Sequence, residues 1–196
     1  SILAEVRPRV EAMPLPSGYR LEWGGEFETA GEAQSGLFAS LPLGLVMMFI
    51  ITVVLFNNFR QPLAIWSLVP LTIIGVVGAL LITGLPFSFM ALLGTLSLIG
   101  MVIKNAIVLV EEINVQLPQY EDRYHAVVRA AVSRVRPVAM AALTTMLGMI
   151  PLISDAFFAS MAVALIGGLG VATLLTLVVL PVVYCVLYRI RIHPDH

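Results

Sequence analysis

Residues 94–112 read GTLSLIGMVIKNAIVLVEE, an almost unbroken apolar run that holds one lysine, Lys104, and an adjacent asparagine, Asn105. Even on lenient insertion scales, a charged lysine at the centre of a bilayer costs roughly 2.5–3.5 kcal/mol, so such a cation usually faces a partner or a water-filled cavity. The alternative is that Lys104 snorkels, with its stem along apolar surfaces and its ammonium at the interface. Because Lys104 lies about seven residues, or roughly 10 Å of helix rise, from the polar end at Glu111, the sequence favours an ion-coupling residue inside a membrane bundle.

The composition of the whole chain is that of an integral membrane protein. Of its 196 residues, 59% are hydrophobic and 12% are charged, whereas soluble domains carry about 25% charged residues. The single cysteine, Cys185, excludes an internal disulfide. The chain begins SILAEV, without a methionine or a signal-peptide pattern, so we expect it to be part of a longer polypeptide.

Residues 1–30 have a different pattern from the rest of the chain. Residues 1–14 are amphipathic and charged, and residues 19–23 alternate apolar and polar side chains with period two, as a half-buried strand does. One helix and one strand cannot bury a core. We therefore expect this segment to be the end of an α/β domain whose other strands lie upstream.

Residues 31–192 are predicted to form a membrane domain. Five hydrophobic segments approach the roughly 20 residues that a spanning helix requires. They run over about 37–56, 62–84, 87–112, 137–155 and 158–188. The turns between them include Gly84–Pro86 and Ser154–Asp155, and prolines at 70, 151 and 181 should kink the spans.

A longer break, over about 119–135, is amphipathic at helical spacing. It places Tyr124 and Val127 with other apolar residues on one face and Arg123, Arg129 and Arg134 on the other. This pattern predicts a helix that lies on the membrane surface and ends before the fourth span. The predicted fold is therefore all-α and integral to the membrane, with five transmembrane helices plus one amphipathic interfacial helix, preceded by a short α/β remnant.

The arginines predict the orientation of the spans. They fall on the side reached after the first, third and fifth spans, at positions 60, 123, 129, 134, 136, 189 and 191. The positive-inside rule then places the N-terminal segment outside the cytoplasm and the C-terminus inside.

Two sets of residues indicate how the helices meet. Ser97, Gly100, Met101, Lys104, Val108 and Glu111 share one helical face, which is smaller and more polar than the opposite one, so we expect it to turn toward the bundle. Close helix contacts are also expected at small residues, namely Gly75, Gly78, Gly94, Gly100, Gly167, Gly168 and Gly170.

Three segments resemble the resistance-nodulation-division (RND) efflux transporters, in particular their hydrophobe/amphiphile multidrug branch. They are GMVIKNAIVLVEE at 100–112, RVRPVAMAALTTMLGMIPL at 134–152 and GGLGVATLLTLVVLPVVY at 167–184. GGEFETAGEA at 24–33 and the turn at 59–62 fit the same family. The KNAIVLVEE pattern favours the multidrug branch over the heavy-metal branch.

The resemblance implies that the chain is the last part of such a transporter, with the end of the periplasmic porter domain over 1–30 and the final five of twelve membrane helices after it. It implies a multi-pass protein of the bacterial inner membrane that works as a homotrimer by proton/drug antiport and needs no cofactor. The implied partners are the N-terminal half of the same transporter, a periplasmic adaptor, an outer-membrane channel, the lipid bilayer, and hydrophobic or amphiphilic small molecules. No nucleic acid is implied.

Lys104 matches the relay lysine of the family, which alternates its contacts with a pair of aspartates from the N-terminal half. The family often places a threonine where this chain has Ala141, and Thr144 and Thr145 follow about one turn later. The predicted proton-relay residues are Lys104, Asn105, Thr144 and Thr145. Alternatively, the relay runs through water, or the two threonines bond the carbonyls of their own helix.

Two other classes of function remain open from the residues alone. The chain is a membrane anchor or assembly module if Lys104 merely pairs with another subunit, and lipid-export relatives share the same membrane architecture. An enzyme is not expected, because the spans hold no His/Glu zinc spacing and no serine–histidine pair. His125, His193 and His196 all lie outside the predicted spans.

Overall fold

The computed structural model describes residues 6, 8, 10, 12, 13 and 26–190 of the chain. The strand predicted over 19–23 lies outside the described residues, as does most of the predicted porter segment. From residue 26 onward the α-helices are α1 (Glu26–Phe56), α2 (Arg60–Trp66), α3 (Leu68–Thr83), α4 (Phe89–Gln116), α5 (Arg123–Met149) and α6 (Ala159–Leu187). Short 3-10 turns extend α4 over Leu117–Gln119 and α5 over Ile150–Ser154.

Five stretches of the described residues are long and apolar enough to cross a membrane. They are Ala33–Phe56, Arg60–Thr83, Phe89–Gln119, Arg123–Ser154 and Ala159–Leu187. Large apolar side chains on them are exposed, for example Ile82 at 89% and Leu81 at 75%. An apolar surface of this kind promotes aggregation in water but is suited to contact with lipid. The predicted helical fold is confirmed for the described residues, and its five long apolar helices are consistent with the five predicted spans.

The chain divides into two compact units, Ser1–Gly44 and Leu45–His196. In the first unit, the side chains of α1 that the structure describes are mostly exposed. In the second unit, α6 packs against α3, α4 and α5, and α4 also contacts α3 and α5. The largest fully buried side chains of this unit include Leu98 and Ile113 of α4 and Leu180 and Tyr184 of α6. Its core is therefore centred on α4 and α6.

The turns that frame the spans are set by local hydrogen bonds. Gly84 ends α3 in the left-handed conformation (φ 68°), and the amide of Leu85 then donates to the carbonyl of Leu80 at 3.2 Å, which is a Schellman cap. Ser88 caps the N-terminus of α4 by accepting a bond from the amide of Ala91. The predicted reversal at Gly84–Pro86 is thus present.

The separate interfacial helix predicted over 119–135 is not present as its own element. α5 runs without interruption from Arg123 to Met149, with Pro137 inside it. Proline removes one backbone hydrogen bond from a helix, but a helix packed on neighbours tolerates that loss. α6 likewise continues through Pro181, whereas Pro70 follows an interruption at Ser67 and Pro151 lies in the 3-10 turn after α5.

Glycine allows α6 to approach α3 and α4 closely at four of the seven predicted positions. A Cβ atom built at Gly75 would lie 2.7 Å from Cβ of Val171, and one at Gly94 would lie 3.1 Å from the carbonyl oxygen of Met161. A Cβ at Gly167 would overlap Ala79, and one at Gly168 would overlap Leu98. The other three behave differently: Gly78 and Gly100 face open space, and Gly170 has only an ordinary contact, 3.9 Å from Sδ of Met146.

Candidate functional site

Lys104 lies in the middle of α4, on the side of the helix that faces away from the core of this chain. Val102, Ile103 and Ala106 beside it are buried, whereas Lys104 itself is exposed. The same holds for the rest of the predicted polar face, since Ser97, Gly100 and Glu111 are exposed and Met101 and Val108 are half-buried. The predicted polar face is therefore not buried by the described helices, although its members Met101 and Lys104 line a pocket shared with α5 and α6.

A small pocket beside Lys104 is lined by residues of three helices, α4, α5 and α6. It has a volume of about 150 Å³ and is lined by Met101, Lys104, Asn105, Ala141, Ala142, Thr145 and Leu169. Ala141, at the position where the family often has threonine, thus faces the same space as Lys104. Of the two candidate threonines, Thr145 lines the pocket and Thr144 does not.

Both threonines use their hydroxyl groups within their own helix. The hydroxyl of Thr144 donates to the carbonyl of Met140 at 2.8 Å, and that of Thr145 donates to the carbonyl of Ala141 at 2.9 Å. Each hydroxyl oxygen still has lone pairs to accept a bond. The hydroxyl oxygen of Thr145 can therefore accept a hydrogen bond from a donor in the pocket, whereas Thr144 does not line the pocket.

Lys104 and Asn105 make no hydrogen bond or ion pair with any side chain that the structure describes. The nearest acids along α4 have other surroundings. Glu111 is exposed, and Glu112 accepts bonds from Gln116 at 2.7 Å and from Nε of Arg134 at 3.1 Å. That ion pair ties the end of α4 to α5 and leaves Lys104 without a carboxylate from the described residues.

The structure also holds a buried polar cluster that the sequence did not predict. Nε2 of Gln61 donates to Oδ1 of Asn114 at 2.9 Å, Nδ2 of Asn114 donates back to Oε1 of Gln61 at 3.2 Å, and the hydroxyl of Tyr184 donates to the same Oδ1 at 3.1 Å. Gln61 is 7% exposed and Tyr184 is 1% exposed. The cluster joins α2, α4 and α6. Its members are 53 and 70 residues apart in sequence, so no local pattern points to it.

The comparison with known families decides the classification. Residues 1–188 match the model of the AcrB/AcrD/AcrF family. The chain belongs to this family of RND transporters. The predicted membership is confirmed on nearly the whole chain.

Similar individual proteins include both metal-resistance and multidrug-resistance proteins. The chain is 32% identical over 195 residues to the cobalt-zinc-cadmium resistance protein CzcA of Cupriavidus metallidurans, covering 96% of the chain. It is 32% identical over 197 residues to the multidrug resistance protein MdtC of Erwinia amylovora, covering 97% of the chain. The crystal structure of a heavy metal efflux pump superposes with a TM-score of 0.72 at 33% identity, over 95% of the chain.

These comparisons cover only part of each relative. The chain spans 18% of the length of CzcA, 19% of MdtC and 19% of the crystallised pump. The identity to CzcA equals that to MdtC, so the preference for the multidrug branch stays a prediction. All three relatives are named for resistance or efflux rather than for an enzymatic reaction.

Proposed function

We propose that this chain is the C-terminal membrane part of a proton-driven efflux transporter, and that Lys104 belongs to its proton-relay network. The observation that carries the proposal is the exposed polar face of α4. It combines a cation, Ser97 and Glu111 on an apolar spanning helix, with no acid from the described residues beside Lys104. An uncompensated ammonium at this depth is costly, which favours a second set of helices that covers this face.

In the proposed relay, the partner of Lys104 is a carboxylate pair from the N-terminal half of the same transporter. Protonation of a carboxylate removes its charge and with it most of its attraction for the ammonium. Lys104 then changes its contact, and the two helix sets shift against one another. Asn105 and Thr145 line the same pocket and supply polar atoms along which a proton or water can pass. Thr144 does not line the pocket, so it is less suited to this role.

The test uses the complete transporter polypeptide that contains this chain, reconstituted in liposomes with an imposed pH gradient. Lys104→Met should abolish substrate-dependent proton flux because the ammonium is lost. Gly78→Ala is the control: it lies on α3 rather than on the polar face of α4, and no atom of this chain lies within 4 Å of its new methyl group. Flux that persists in Lys104→Met would overturn the proposal.

A membrane anchor or assembly module is the alternative from another class. There, Lys104→Met would weaken assembly with another subunit while no proton flux occurred in the wild type. A lipid-export relative of the same architecture would retain Lys104-dependent flux, but phospholipid would stimulate it in place of drugs or metals. Measuring flux and subunit association in the same preparations therefore separates the three.

The substrate class is the finer part of the proposal. The motifs favour hydrophobic or amphiphilic molecules, while the names of CzcA and of the crystallised pump favour divalent metal cations. Liposomes challenged separately with Zn²⁺, Co²⁺ and a lipophilic cationic dye would decide between them. The homotrimer, the periplasmic adaptor, the outer-membrane channel and the inner-membrane location belong to the same proposal.

A further inference from the structure

An apolar groove lies between the start of α5 and the end of α6. Its volume is about 490 Å³, within the roughly 300–1,000 Å³ typical of small-molecule sites. Its walls are lined by Tyr124, Val127, Val128, Pro181, Val182, Cys185, Val186, Arg189 and Ile190. Val128, Val182 and Val186 are 41%, 57% and 69% exposed, so the groove opens to the outside of the helix pair. Among the described residues that line it, Arg189 is the only charged one.

Arg189 holds an unusual backbone position at the end of this groove. Its φ is 52°, its amide donates to the carbonyl of Val186 at 3.2 Å, and the amide of Ile190 donates to the carbonyl of Cys185 at 2.9 Å. These two bonds form a Schellman cap, in which the left-handed residue is usually glycine. An arginine there carries a conformational cost, and an outlier of this kind points to a role for its side chain.

A second cationic side chain borders the same end of the helix pair. A neighbouring pocket of about 320 Å³ shares Ile190 with the groove and is lined by Arg123 and Tyr188 among others. No acid among the described residues lines either pocket, and within those residues neither arginine forms an ion pair. Within the part of the chain that the structure describes, the site thus combines an apolar channel with positive charge at one end that no acid pairs with.

We propose that the groove binds an anionic phospholipid, with an acyl chain between α5 and α6 and the phosphate at Arg189. The geometry fits this occupant. From Pro181 to Arg189 the groove follows α6 for about 12 Å of helix rise, from within the spanning helix to two residues beyond its end. An acyl chain needs apolar walls inside the membrane, and a phosphate needs a cation at the interface.

The only cysteine of the chain provides the probe without mutation. Cys185 lines the groove and is half-buried, so a lipid chain in the groove should slow its alkylation by the uncharged reagent N-ethylmaleimide. The assay uses the complete 196-residue chain in a non-ionic detergent, titrated with dioleoylphosphatidylglycerol or, separately, with dioleoylphosphatidylcholine. We expect the anionic lipid to protect at about fivefold lower concentration, since one arginine near anionic lipid contributes about that factor.

Arg189→Gly is the decisive variant because glycine suits the left-handed position better than arginine does. Its melting temperature should be unchanged or higher, while its half-protecting phosphatidylglycerol concentration should rise about fivefold to the value for phosphatidylcholine. Arg136→Gln is the matched control, an exposed arginine on α5 that lines neither pocket. In this variant, phosphatidylglycerol should protect Cys185 at the same concentration as in the wild type.

Three results would overturn the proposal. The first is equal protection by the two lipids, or none by either, in the wild-type chain. The second is a loss of selectivity in Arg136→Gln as large as that in Arg189→Gly, which would mean a diffuse electrostatic effect. The third is full protection by glycerol phosphate without acyl chains, which would make the site a headgroup or phosphate site rather than a lipid groove.

Discussion

Gly167→Ala should destabilise the chain although it adds a single methyl group. In the structure, a Cβ atom at position 167 would overlap Cβ of Ala79 on α3, with the carbonyl oxygen of Gly75 3.3 Å away. The overlap is with the short side chain of a helix residue, so only a shift of α3 away from α6 can relieve it.

The magnitude follows from two opposing effects. Overpacking a well-filled contact costs typically about 1–3 kcal/mol, whereas replacing glycine by alanine in a helix contributes up to about 1 kcal/mol of stability. We therefore expect a net loss of about 0–2 kcal/mol for Gly167→Ala. The matched control is Gly170→Ala on the same helix, where the nearest atom is 3.9 Å away and only the favourable effect applies.

The assay is unfolding of the purified chain in mixed micelles by titration with sodium dodecyl sulfate, followed by circular dichroism. Gly167→Ala should unfold at a lower denaturant fraction than Gly170→Ala, and its cost should be smaller in an Ala79→Gly background than in the wild type because Ala79→Gly removes the overlapping atom. Such coupling is expected only between residues in contact. If Gly167→Ala were as stable as Gly170→Ala, or if its cost were the same with Ala79→Gly as without it, the close approach of α3 and α6 would be refuted.

Three further outcomes are expected. Lys104→Met should leave the isolated chain as stable as the wild type or more stable in the same micelle titration, because Lys104 has no hydrogen bond or ion pair to a described residue; a clear loss would reveal a strong partner within the chain. Asn114→Leu should lower stability by about 1–3 kcal/mol because it leaves buried Gln61 and Tyr184 unpaired, whereas Asn105→Leu, which breaks no such bond, should not; equal effects would contradict the role of the cluster. Cysteines at positions 154 and 195, each in a Cys185→Ser background, should react with impermeant reagents from opposite sides of the membrane, and labelling from one side would refute the proposed orientation.

Local patterns predicted the helices well, because hydrophobic length and capping residues act over a few positions. Gly84 is an example, since it ends α3 through bonds to residues within five positions. The predicted break between the helix over 119–135 and the span from 137 was wrong for a related reason. The sequence shows the missing backbone donor of Pro137 but not the neighbours that hold a continuous α5 together.

The site was harder to predict because it depends on which helices are neighbours. A polar stripe on α4 is the same string of residues whether it faces inward or outward, and the structure puts Lys104 outward. The family resemblance drew attention to position 141, but only the structure shows that Ala141 lines the pocket beside Lys104. The cluster of Gln61, Asn114 and Tyr184 required three distant helices to be placed first.

The contacts along α4 indicate that it is fixed to α6 over its whole length. The Oγ atoms of Ser88 and Ser160 lie 2.5 Å apart at one end, Leu98 packs where Gly168 has no side chain, and Asn114 bonds Tyr184 at the other end. If Lys104 relays protons as proposed, a shift of the helices should then move α4 and α6 together, against the helices proposed to cover the polar face.

This expectation can be tested by a cross-link. Ser88→Cys with Ser160→Cys, in a Cys185→Ser background, places two thiols where the hydroxyl oxygens now touch, within reach of a disulfide. In the complete transporter, oxidation should leave proton flux close to that of the reduced form, because the bond joins helices that move as one body. Flux that stops on oxidation and returns with a reductant would show that α4 slides on α6 during the transport cycle. That result would refute the inference that α4 and α6 move as one body.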